Sequence, residues 1–231
     1  MPKKRALMLV KIDPPPEKER EWNDWYNGKH APDRLKVPGF LFARRFVNLS
    51  DKAGIFTKGE PKYLTLYDLT SAEVLKSEAF LNLREREKIL PQDSFEVFTN
   101  NHPHLSWGAY EQAYPEDDNY QPPSSQYLLL AEHELPRQYE EEYHAFYNTE
   151  HIPAITKVPG FLTARRFVLT EKFPTLPDRK SIRRYLTIFD IAKGDFFTTP
   201  EFERYRTSPW TSRMQSKFTQ RLLLLYERIW P

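Results

Sequence analysis

The sequence contains no cysteine. That absence excludes a disulfide framework, a cysteine-bound zinc, an iron–sulfur cluster and a thiol nucleophile. Glycine is scarce, at 7 of 231 residues, and none stands in a phosphate-cradling loop. A G-x-S-x-G elbow and an H-E-x-x-H zinc signature are also missing. No stretch approaches the roughly 18 apolar residues of a membrane span. The apolar run in RALMLVKID is interrupted by Lys11 and Asp13, so it is too short for a signal-peptide core. Neither sign of charge dominates, with 34 basic residues against 32 acidic ones. There is thus no electrostatic footprint for nucleic acid or an anionic membrane. These absences lead to the expectation of a cytoplasmic protein with a small-molecule substrate, no metal, no cofactor, no nucleic-acid partner and no membrane partner.

What is present is a repeat. Residues 22–47 read WNDWYNGKHAPDRLKVPGFLFARRFV and residues 143–168 read YHAFYNTEHIPAITKVPGFLTARRFV. At a constant offset of 121, fifteen of these twenty-six positions are identical. Self-similarity of this kind governs the architecture before any single motif does. RALMLVKID reads as a buried strand closed by Pro14-Pro15-Pro16. Trp22, Tyr26 and His30 follow at four-residue spacing, which puts them on one face of a helix. Pro32 is expected to end that helix near His30. Pro38-Gly39 turns the chain into a second strand, FLFARRFVN, and KYLTLYDLT is a third. Thr70 and Glu73 suggest a capping box ahead of a helical region over about 71–90, and LSWGAYEQAY is a fourth strand.

The order is β-α-β-β-α-β, the ferredoxin-like split βαβ motif, and the second half repeats it. The expected domains are residues 1–115, a polar proline-rich linker over 116–125, and residues 126–231. A single such unit leaves one sheet face bare. The expected fold class is therefore α+β, with two tandem ferredoxin-like units packed sheet to sheet as an intramolecular dimeric α+β barrel and helices outside.

Several residues could carry chemistry. His30 and His151 each share a helix face with a tyrosine one turn back, Tyr26 and Tyr147. At a helix C-terminus the dipole would favour imidazolium, and a histidine beside a phenol suits proton abstraction next to a carbonyl. The alternative is a histidine that caps its own helix. Arg44-Arg45 and Arg165-Arg166 lie mid-strand, so the two side chains of each pair point to opposite faces. Arg44 and Arg165, flanked by phenylalanines, could clamp an anionic planar substrate, or could pair internally with Asp68 and Asp190. His133 alternates with Tyr127, Leu129 and Ala131, so it faces the same way as they do. His102-Pro103-His104 supplies two ligands in a polar loop without a third, too little for a metal.

The pattern W-x-x-W/F-Y-N-x-x-H-x-P, followed by V-P-G-F and A-R-R-F on a split βαβ unit, resembles the EthD-like branch of the dimeric α+β barrel superfamily. That resemblance implies a fused version of a fold usually built from two chains, with a homodimer of fused chains still open. It carries Tyr26, Asn27 and His30, and Tyr147, Asn148 and His151, as motif positions. With His151, His30, Tyr147 and Tyr26 in catalysis and Arg44, Arg165, Asn27, Asn148 and His133 in substrate binding, the expected activity is cofactor-independent. It would be an isomerase, dehydratase or hydrolase type of proton transfer on a carbonyl or carboxylate intermediate of aromatic or xenobiotic catabolism. A non-catalytic ligand carrier and a haem-binding member of the fold are the alternatives.

Overall fold

A computed structural model describes residues 4–52, 54–101, 105–116, 120–170, 182–193 and 196–231. His102 and His104 lie outside the described residues. Eight strands are present: β1 (Ala6–Ile12), β2 (Phe40–Asn48), β3 (Tyr63–Leu69), β4 (Ser106–Tyr114), β5 (Tyr127–Glu134), β6 (Phe161–Leu169), β7 (Tyr185–Ile191) and β8 (Gln220–Trp230). They close into one antiparallel barrel in the order β1-β3-β2-β8-β5-β7-β6-β4. This corrects the expectation of two ferredoxin-like units stacked sheet to sheet. The edges of the two four-stranded sheets are hydrogen-bonded to each other. Val47 lies opposite Glu227 at the β2–β8 seam, and Glu111 opposite Val168 at the β4–β6 seam. The physical reason is the edge strand itself. Two separate sheets would expose four rows of unpaired N–H and C=O groups, whereas a closed barrel exposes none.

Strand alternation sorts side chains into two layers. Leu7, Leu9, Leu64, Leu66, Leu128, Leu130, Leu186, Ile188, Leu222 and Leu224 fill the barrel interior. The outward positions meet helices. One outer core gathers Met8, Val10, Trp22, Tyr26, Tyr67 and Leu105; the other gathers Leu129, Tyr143, Tyr147, Ile155, Phe189 and Met214.

The helices over the first core are α1 (Glu19–Trp25), α2 (Ala31–Leu35), α3 (Glu78–Lys88) and α4 (Phe95–Asn101). Those over the second are α5 (Glu140–Phe146), α6 (Ile152–Ile155), α7 (Pro200–Arg206) and α8 (Pro209–Gln215). The start of α3 also departs from expectation. Its N-cap is Ser77, whose hydroxyl accepts from the Phe80 N–H, while residues 72–76 form a 3₁₀ turn. After α2 and α6, the Val-Pro-Gly turns depend on Gly39 and Gly160, both at φ +100°, where a side chain would be strained.

Candidate active site

Pro32 does not end the first helix. Tyr26–His30 form a π-helical turn between α1 and α2, and Tyr147–His151 form its counterpart between α5 and α6. The N–H of Ala31 reaches the carbonyl of Tyr26, and that of Ile152 reaches Tyr147, five residues back in each case. This wider ring uses the carbonyl ladder one residue out of step. The imide nitrogens of Pro32 and Pro153, which have no hydrogen to donate, then fall in the first turn of the next helix, where none is required. The histidines consequently stand inside a continuous helical path and not at a C-terminus, so the expected dipole support for imidazolium is absent.

Each π turn opens onto a pocket between the helices and the outer face of the barrel. The pocket in the second half is lined by His133, Tyr147, His151, Phe146, Phe218 and Arg221, among others, with about 570 Å³ of empty space counted to its mouth. That space includes open solvent at the mouth, and between the rings the pocket is a narrow slot. His133 comes from β5 and is buried. Its ring stacks on Phe218 at 4.2 Å, and its Nδ1 lies 3.3 Å from the Tyr143 hydroxyl and 3.5 Å from that of Tyr147. The His151 ring sits 4.9 Å from that of Tyr147 and 5.0 Å from that of Phe146. Neither nitrogen of His151 has a hydrogen-bond partner among the described residues, and Arg221 has neither an ion pair nor a hydrogen bond among them.

The electrostatics favour neutral imidazoles. Burial, then the nearby guanidiniums of Arg221 and Arg166, push His151 down to about 4. Burial, followed by Arg221, His151 and Arg166, holds His133 well below its ordinary value. The same burial, reinforced by Tyr143, raises the Tyr147 phenol well above its own, against the pull of Arg166 and Arg221. Near neutrality the slot therefore presents two uncharged histidines, a protonated phenol and two guanidiniums, Arg221 and the Glu203-paired Arg206.

The pocket in the first half contains Tyr26, His30, Arg34, Tyr67 and Arg84 against Met8, Val10, Phe80, Leu105 and Trp107, with about 520 Å³ of empty space. Its histidine is held differently. Arg34 donates from Nη1 to His30 Nδ1 at 3.2 Å, and bonds Glu87 at 2.9 and 3.1 Å. A guanidinium can only donate, so Nδ1 carries the lone pair and the proton resides on Nε2. Tyr67 donates to the Tyr26 hydroxyl at 3.3 Å. Burial, then Arg34, keeps His30 well below its ordinary value.

The remaining sequence candidates lie elsewhere. Arg44 and Arg165 point into the barrel, where they are 1% and 2% exposed. Each meets a carboxylate of the opposite half: Arg44 donates to Asp190 and Arg165 to Asp68, both at 2.5 Å. Tyr120, from the connecting segment, donates to Asp190 at 2.8 Å and lies 3.5 Å from the Arg165 guanidinium.

Asn27 and Asn148 likewise line neither pocket. Arg45 donates to Asn27 at 2.5 Å and to Asn23 at 2.9 Å; Arg166 donates to Asn148 at 2.6 Å. These contacts fasten the π turns to the strands beneath, with Arg45 4.0 Å from the Tyr26 ring centre and Arg166 4.7 Å from that of Tyr147. Sequence reasoning missed Tyr143, Phe218, Arg221, Arg34 and Tyr67. Tyr143 was within reach, because it aligns with Trp22 at the start of the repeat. Arg221 was not, because it lies outside the repeated motif, on β8, which pairs with β5 within the second half.

No family model matches the chain, and no curated protein matches it. Solved structures share its fold over nearly the whole length. An anthrone oxidase-like protein aligns with a TM-score of 0.63 at 12% identity, covering 98% of this chain and 92% of that one. A provisionally assigned monooxygenase from Fusobacterium nucleatum gives 0.60 at 8% identity, covering 99% and 94%. A provisionally assigned chlorite dismutase gives 0.53 at 8%, covering 98% and 95%. At such identities the likeness is one of fold alone.

Proposed function

We propose that the second-half pocket is the active site of a small-molecule enzyme that moves a proton on carbon next to a carbonyl. The observation that carries this reading is the coincidence, in one narrow apolar slot, of His151 with unpartnered nitrogens, the Tyr147 phenol and the unpaired Arg221. An apolar substrate bearing a carboxylate would set that group on Arg221. Its carbonyl would accept from Tyr147, and His151 would take the proton from the adjacent carbon. The C–H electron pair moves to the carbonyl oxygen as an enolate, which the phenol stabilises by donation. Returning the proton to another carbon completes an isomerisation; expelling a β-hydroxyl as water completes a dehydration.

A base held at about 4 is weak. The substrate carboxylate corrects this by neutralising Arg221, the second contributor to the depression after burial. His133, bonded through Nδ1 to the tyrosine hydroxyls, positions the phenols and takes no proton itself. The motif around Tyr147 and His151 supports placing the chain in the EthD-like branch.

The neighbours described as an oxidase and a monooxygenase favour a second reading of the same first step. An enolate or phenolate can be oxidised by dioxygen, with a CH₂ group and O₂ giving a carbonyl and water. Proton exchange is common to both readings. Incubation with β-keto and conjugated enol acids in D₂O should show deuterium incorporation by NMR, lost about 100-fold or more in His151→Gln. Oxygen uptake alongside it would select the oxidative course. Undiminished exchange in His151→Gln and Tyr147→Phe would overturn the assignment, and binding without exchange by any acid would make the protein a carrier.

A further inference from the structure

The two pockets are not chemical equivalents. In the first half, Nδ1 of His30 is occupied by the Arg34 guanidinium. Protonating that nitrogen would set an N–H against an N–H, so His30 cannot serve as a base there. Its other nitrogen, Nε2–H, has no hydrogen-bond partner among the described residues, although the side chain is 4% exposed. His30 lines the cavity, and this N–H is free to donate to a ligand there.

Of the two guanidiniums in this pocket, one is ion-paired and the other is bonded to a neutral amide. Arg34 is bidentate to Glu87, and Arg84 donates to Asn100 at 2.5 Å. Asn100 in turn contacts Glu87 at 3.4 Å. The Thr99 hydroxyl accepts from the Trp22 indole at 3.2 Å. What remains for a ligand is an apolar wall of Met8, Val10, Phe80, Leu105 and Trp107, with the His30 Nε2–H and the Tyr26 O–H set in it.

From this we infer that the first-half pocket is a second, non-catalytic binding site for a neutral aromatic ligand bearing a carbonyl oxygen, which accepts from His30 Nε2–H. The carboxylate-binding slot around Arg221 and this neutral-carbonyl site divide the ligand chemistry between them. A ligand here would pack on the rings of Tyr26 and Trp107, and its oxygen would satisfy the orphan donor. The inference goes beyond the proposed reaction and stands on a different histidine, so the two can fail separately.

The test uses the full chain labelled with 5-fluorotryptophan. Trp107 lines the first pocket, whereas Trp210 packs 5.5 Å from Phe146 in the wall of the second. Titration with acetophenone should shift the ¹⁹F resonance of Trp107, assigned by its absence in Trp107→Phe. Ethylbenzene, of nearly the same shape without the oxygen, should bind about tenfold more weakly. Benzoate should move Trp210 in preference to Trp107.

His30→Phe should weaken acetophenone binding about tenfold, and His30→Gln, which restores an N–H donor, should recover part of it. Val10→Phe, which fills the cavity and leaves His30 in place, should abolish the Trp107 shift. Equal affinity for acetophenone and ethylbenzene, or an acetophenone shift at Trp210 alone, would overturn the proposal. So would a Trp107 shift that Val10→Phe leaves unchanged in protein with wild-type circular dichroism.

Discussion

A histidine that works as a base must arrive at its substrate without a proton, and burial ensures this for His151. Its folded value of about 4 lies below the roughly 6.5 of an unfolded histidine. Activity should therefore be flat through neutrality and persist to about pH 5, where an unperturbed histidine would already have lost most of its function. The stability consequence has a definite sign. The unfolded chain takes up the proton first, so the His151 contribution is complete above about pH 6.5 and is lost as pH falls towards 4. His30 and His133 are depressed in the same direction. Denaturant melts at pH 7.5 and 5.0 should show a marked loss of stability at the lower pH, reduced in His151→Gln. The spacing of Tyr147 and His151 made this pair legible in the sequence. The environment that sets the charge was not legible, because it comes first from burial beneath neighbouring elements and then from guanidiniums on β8 and β6.

At the level of elements, the π turns decide what the tyrosine and histidine can reach. One inserted residue rotates everything after it by about 100° relative to a regular helix. Deleting Thr149 should restore a plain α-turn, preserve most of the circular dichroism signal and abolish deuterium exchange; retention of exchange would show that the turn is dispensable. The brace beneath it is equally specific. Arg166→Leu removes the donor to Asn148 and the cation beside the Tyr143 and Tyr147 rings. It should cost about 1–3 kcal/mol in urea unfolding, the usual penalty for stranding a buried polar partner. Sequence reading placed Pro32 at a helix end because a proline in a regular helix forfeits a hydrogen bond and clashes. A bulge that displaces the ladder by one residue evades that rule and leaves no mark in hydrophobic periodicity. The alternation that sends Arg44 and Arg45 to opposite faces follows from pleating alone, and it was readable.

For the molecule as a whole, the seams and the buried charges make one cooperative body. Arg44 and Asp190, like Arg165 and Asp68, come from opposite halves. Removing one partner strands a charge in the barrel, so Arg44→Ala should destabilise by about 3 kcal/mol. A double-mutant cycle with Asp190→Ala should show strong coupling, and additive losses would mean that the pair is idle. A fragment of residues 1–115 should fail to form a folded monomer, because β2 and β4 would lose their partners; sedimentation and amide exchange would test this. Strand order within each half was legible from the element sequence. Closure was not, since no local pattern states which edge meets which. The exchanged pairing across the barrel also bears on inheritance. Were the barrel assembled from two identical chains, a single codon change would strike both pockets and both ion pairs together. Here each pocket and each end of each pair has its own codon, so one cavity can drift towards a new ligand while the other keeps its chemistry.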